Sequence, residues 1–145
     1  METTRPQRVP PLCPSAQPEM EGCVLFGVVG GTVEEPRVGY LEEPRPVTPE
    51  LLSLSGLVKP TEVFRFAAPC AERACRHFDG SDCRLVTKIV ARTPAVVGIL
   101  PACRLRPRCR WWVQEGGAAC TRCPIIVTEN YQPSAELRQA ADPTL

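Results

Sequence analysis

"CVLFGVVGGTVEEPRVGYL", residues 23–41, sets β-branched and aromatic residues on both sides of Gly30 and Gly31. The pattern predicts two antiparallel strands joined at a Gly-Gly turn, because adjacent glycines reach the positive φ of tight hairpin turns at no steric cost. Pro36 and Pro44 place the second strand at an edge or in a loop, since proline cannot donate to a central ladder. Cys23 opens the run among apolar neighbours and reads as a small core residue.

Outward from the hairpin the elements stay short. "TPELLSLSG" has Thr48 as N-cap, Pro49 at the first helical position and Gly56 as a stop, which predicts a two-turn helix. "KPTEVFRFAAP" reads as a strand. "GSDCRLVTKIVART" predicts a helix capped by Ser81, with Leu85, Val86, Ile89 and Val90 on one apolar stripe. Cys83 then falls in its first turn with its sulfur inward, where the helix dipole favours a thiolate. "VVGILPAC" reads as a short helix or strand and "PIIVT" as a closing strand. The expected fold is a small single α+β domain with short elements and much irregular loop, organised around metal or cluster sites. The expected divisions are a proline-rich arm (1–22), a β-rich subregion with a short helix (23–66), a cysteine-rich region (67–128) and a C-terminal tail (129–145).

The 145 residues suffice for one core, yet the chain holds nine cysteines. The N-terminal stretch has no apolar signal core, and the longest apolar runs fall far short of the ~20 residues that cross a bilayer. A cytoplasmic protein without a membrane segment is therefore expected, and in a reducing cytosol clustered cysteines bind metal or do chemistry more often than they pair. Setting Cys23 aside leaves eight, two sets of four: Cys13, Cys70, Cys75, Cys83, Cys103, Cys109, Cys120 and Cys123.

Four thiolates suit either a closed zinc site or an iron-sulfur cluster. Zinc sites favour two tight ligand pairs, and here only Cys120 and Cys123 form one. The looser C-x4-C-x7-C and C-x5-C-x10-C-x2-C spacings favour clusters, 4Fe-4S in type and two in number. The Cys123-Pro124 step resembles the end of bacterial ferredoxin runs, although C-x2-C-x2-C-x3-C is absent. Cys103, Cys109, Cys120 and Cys123 lie close enough in sequence to close on one centre. Cys70, Cys75 and Cys83 are one ligand short, and Cys13, carried on the polar arm, is the expected fourth; in the rival partition Cys123, the cysteine before proline, joins them instead, as in ferredoxins.

The surroundings suit an anionic inorganic group. Arg76, Arg84, Arg104, Arg108, Arg110 and Arg122 each lie within one residue of a cysteine. Four thiolates on zinc or on an oxidised four-iron cluster leave a net charge of about −2, which arginines offset while raising a cluster's reduction potential. Trp111 and Trp112 read as core and lid, and Gly116 and Gly117 as backbone donors to sulfur. His77 reads as a hydrogen-bonded neighbour or cap, with ligation as the alternative. Thioredoxin-like chemistry at "CTRCP" fits poorly because the motif runs into a strand pattern instead of opening a helix.

"CRHFDGSDCRL", "LPACRLRPRCRWWVQEGGAAC" and "CTRCP" resemble an uncharacterised family of small bacterial cysteine-rich proteins. The resemblance implies iron-sulfur or zinc ligation by the seven cysteines between 70 and 123 and assigns no activity. The combined expectation is an electron carrier or redox-responsive accessory protein with a protein redox partner, not a free-standing enzyme. The alternative is a zinc-stabilised module whose arginine-rich face meets nucleic acid or an acidic protein.

Overall fold

The structure, a computed structural model, describes residues 10–145. Strands β1 (Leu12–Ala16), β2 (Val24–Gly31), β3 (Pro36–Pro46) and β4 (Phe64–Pro69) form one antiparallel sheet in the order β1-β4-β2-β3. With the short helices packed on it, this is a small α+β single domain. The arm expected over 1–22 supplies β1 from its described part, and residues 1–9 lie outside the described residues.

The hairpin strands form where the β-branched residues predict them, but the turn is displaced. Val29 pairs with Val38 and Gly31 with Pro36, so the chain reverses over Thr32–Glu35, closed by Thr32 N–H donating to Glu35 O at 3.2 Å. Gly31 is still required. Its φ is +76°, and a Cβ there would stand 2.4 Å from Glu35 O. β3 is an edge strand with prolines at both ends and at Pro44, the placement their missing N–H demands.

Helix α1 (Pro49–Ser53) begins as expected, with Thr48 Oγ1 accepting from Leu51 N–H at 3.1 Å. The strand expected over "KPTEVFRFAAP" splits into a helical turn, α2 (Pro60–Val63), followed by β4. Helix α3 (Arg84–Arg92) starts later than predicted and its N-cap is Cys83. Ser81 is diverted because Asp79 Oδ1 accepts from the backbone N–H groups of Ser81 and Asp82 at 2.9 and 2.8 Å, which builds a turn instead of a helix start. Val86 and Ile89 are buried, with Leu85 and Val90 packed beside them.

Beyond α3 the chain is irregular to Leu105, so "VVGILPAC" is neither helix nor strand. Helices α4 (Arg110–Glu115) and α5 (Gly117–Cys120) follow, and then a 3₁₀ turn at Cys123–Ile125 replaces the strand expected for "PIIVT". Helix α6 (Ala135–Ala141), capped by Ser134, packs on α3.

Both faces of β4 are covered. Phe64, Phe66 and Ala68 join Ala16, Cys23 and Leu25 on one side, where α1 packs. Ala67 faces the other side, with Phe26, Val86, Ile89, Trp111 and Cys109. That second layer carries the cysteine-rich region.

Candidate functional site

All nine cysteines lie among the described residues and none is in a disulfide. Cys23 stands apart, buried with Leu25 and Phe66. The other eight gather in two places.

Cys13, Cys70, Cys75 and Cys83 line one cavity of about 470 Å³. Cys13 is on β1. Cys70 follows β4 and donates its N–H to Pro11 O at 2.8 Å, which fastens it to the same strand. Cys75 ends a 3₁₀ turn in which Glu72 adopts a φ of 49°, a left-handed conformation uncommon for a side-chain-bearing residue. Cys83 caps α3, and its peptide is gripped from α4: its N–H donates to Gln114 Oε1, and Gln114 Nε2 donates to its carbonyl, both at 2.8 Å. Burial pushes the Cys13 thiol up to about 12 against a backbone hydrogen bond at Ser15 that lowers it, and the nearby Cys83, Cys70 and Cys75 raise it further. The Cys83 thiol is likewise raised by burial, while the Val86 and Leu85 amides favour its thiolate.

Cys103, Cys109, Cys120 and Cys123 line a second, far smaller cavity of about 20 Å³, the sealed site by virtue of its almost wholly apolar wall of Phe26, Tyr40, Leu105 and Trp111. Cys109 caps α4, as Cys83 caps α3. Burial pushes its thiol up to about 11, opposed by the Trp112 and Trp111 amides and reinforced by Cys123 and Cys103. The Cys103 and Cys120 thiols are raised by burial too; the Arg106 guanidinium hydrogen-bonds Cys120 and pulls it back down. Tyr40, stacked on Phe26 at 6.0 Å, has its phenol held well above the ordinary value by burial and by Cys123 beside it.

The two cavities share a wall. A β-bridge joins Leu12, the residue before Cys13, to Cys109, and the Arg65 guanidinium spans from Pro14 O to Cys123.

Buried polar atoms without a hydrogen-bond partner are concentrated at these cavities. Among the described residues they are Tyr40 Oη, Arg106 Nε and Trp111 Nε1, on residues lining the sealed cavity, and His77 Nδ1, Arg110 Nε, Arg110 Nη2 and Thr128 Oγ1, on residues lining the open one. Each such residue lines a cysteine cavity. Most of these atoms are donors, and a buried donor left unpaired costs about 1–3 kcal/mol. No three His, Cys, Asp or Glu side chains among the described residues stand close enough to share a single metal ion.

The arginines beside cysteines serve differently than their spacing suggests. Arg76 and Arg110 line the open cavity. Arg84, Arg104 and Arg122 instead donate to backbone carbonyls of Pro143, Glu42 and Thr93. Gly116 N–H donates to Trp112 O at 2.8 Å, closing α4 instead of reaching a sulfur. His77 lies at the open cavity; burial lowers its pKa, helped by Lys88, Arg76 and Arg84, so its ring is kept neutral. Trp111 is core at 2% exposure, while Trp112 lies under Arg106, whose Cζ is 5.4 Å from its ring. Arg65, Tyr40 and Arg106 are not marked by proximity to a cysteine in sequence. Their one available signal is an arginine set between two phenylalanines in a strand.

Comparison with protein-family models, with curated proteins and with solved structures returned no match. No helix among the described residues is long and apolar enough to cross a membrane.

Proposed function

We propose that this chain is a cytoplasmic iron-sulfur protein with two four-cysteine clusters, an electron carrier or redox-responsive accessory that works with a protein redox partner. The observation that carries the reading is the set of unpartnered buried polar atoms, all on residues that line the two four-thiol cavities. Most of these atoms are donors, and thiolates and inorganic sulfide accept hydrogen bonds. Cys13, Cys70, Cys75 and Cys83 would hold one cluster and Cys103, Cys109, Cys120 and Cys123 the other.

Cluster rather than zinc is favoured by spacing. The C-x4-C-x7-C and C-x5-C-x10-C-x2-C spacings are looser than the two tight ligand pairs that structural zinc sites favour. When bound, such clusters supply one-electron transfer. The chain's own part is to exclude water from the sealed site, to hold Cys83 through Gln114, and to place cations beside the sulfurs.

Anaerobic purification tests the reading. A brown protein with broad visible absorption that bleaches on reduction with dithionite is expected. A colourless protein with stoichiometric zinc overturns it in favour of a zinc-stabilised module for nucleic acid or an acidic partner.

A further inference from the structure

Arg65 is the second residue of β4 and has no exposed surface. Its Nε and Nη2 donate to Pro14 O at 3.1 and 2.7 Å, and its Nη1 donates to Cys123 O at 3.1 Å and Ile126 O at 2.9 Å. Nη2 also reaches Cys123 Sγ at 3.6 Å. Phe26 and Trp111 cover the guanidinium, with Cζ 5.2 and 5.8 Å from their ring centres.

Three carbonyls satisfy the donors but not the charge. The ion pairs found among the described residues join Lys59 to Glu129 and Arg110 to Glu72, so Arg65 has no carboxylate partner. A dry, uncompensated cation is expensive, and folded proteins rarely keep one without an anion nearby. The sulfur it touches belongs to the sealed site.

We infer that Arg65 is the positioning residue of the sealed site, holding Cys123 in place and raising the reduction potential of the group bound there. The inference rests on the iron-sulfur reading. Reduction adds negative charge to a cluster, and a fixed cation hydrogen-bonded to a ligand sulfur stabilises that form more than the oxidised one. Arginine is required because its rigid fork reaches Pro14, Cys123 and Ile126 together, which a lysine ammonium cannot. Burial in an apolar pocket works in the opposite direction, so Arg65 offsets the sealing of its own site.

The test compares Arg65→Lys and Arg65→Gln with the parent protein, all purified anaerobically, by iron content and by potentiometric reduction followed by electron paramagnetic resonance. Cys120→Ser, which alters one sealed-site ligand, identifies that site's signal. At the potential that half-reduces the sealed site in the parent, Arg65→Lys should lower the reduced-to-oxidised ratio about tenfold, 59 mV for one electron. Arg65→Gln should lower it further, and the open site should change less than twofold. Arg45→Gln, which removes an exposed charge, should shift neither. In the parent protein labelled with ¹⁵N-arginine, the reduced sealed site should show coupling to arginine nitrogen, a readout that does not depend on how the variants fold. Iron-loaded variants with unshifted ratios, or no arginine coupling in the parent, overturn the inference alone. A protein without iron overturns the iron-sulfur reading and this inference with it.

Discussion

The two cysteine sites each bring together four thiols and are assembled in opposite ways. Cys103, Cys109, Cys120 and Cys123 come from one short segment, and the cavity they line is about 20 Å³, closed by Trp111, Phe26 and Tyr40. Cys13, Cys70, Cys75 and Cys83 come from a strand, a strand end, a turn and a helix cap, and they line an open cavity of about 470 Å³. One site is made by local chain geometry and walled by the core. The other exists only because β1 pairs with β4 and carries Cys13 across to Cys70. If both sites hold metal, the first should yield to chelator more slowly than the second, whose four thiols are brought together only by tertiary structure.

The largest effect that could break this comparison is metal removal. Ligation contributes on the order of 10 kcal/mol to folding in small thiolate-bound domains. Chelation under reducing conditions should therefore abolish cooperative unfolding in calorimetry, with the open site emptied first. Unchanged melting after verified removal would show that neither site supports the fold.

Next comes Cys13→Ala. It should lose metal at the open site while the sealed site stays filled, leaving about half of the parent iron in a two-cluster protein. Loss of all the iron would mean the sites are not separate, and full retention would remove Cys13 from the ligand set.

Trp111→Ala should destabilise by about 3–5 kcal/mol in urea unfolding, the range for deleting a buried large side chain. Because Trp111 walls the sealed cavity, the same variant should make that site's metal yield to chelator as fast as the open site's. Equal protection in variant and parent would detach the aromatic wall from the difference.

The smallest effect concerns Cys23, outside both sites. Burial, with Glu19 adding to it, pushes its thiol from the ordinary 9.0 to about 11 in the folded chain. The unfolded chain thus binds fewer protons between those values, so this contribution is complete below about pH 9 and is lost as pH rises toward 11. Unfolding measured across that window should show the parent losing stability relative to Cys23→Ala, whose iron content is unchanged. Parallel pH curves would contradict the assignment.

What the sequence made legible was local. Thr48 and Pro49 mark α1, the 85–86–89–90 stripe marks α3, and the prolines of β3 mark an edge, because each depends on nearby residues. The eight cysteines outside Cys23 could be singled out by composition and spacing. The misplacements have equally local causes: Gly31 serves a close backbone approach at a longer turn, and Asp79 diverts the start of α3 to Cys83. What could not be read is what crosses the fold. Phe64-Arg65-Phe66 alternates as a strand with one wet face would, and only the helical layer packed on β4 makes Arg65 a buried cation beside Cys123. Tyr40 and Arg106 likewise reach the sealed site by tertiary packing.

X-ray absorption at the iron and zinc edges of the anaerobically purified protein distinguishes two four-thiolate iron-sulfur centres from zinc sites. Iron with sulfur neighbours and iron-iron scattering is expected, at about eight iron per chain for two four-iron clusters. A spectrum of zinc alone, with four sulfurs at about 2.3 Å and no iron, would contradict it.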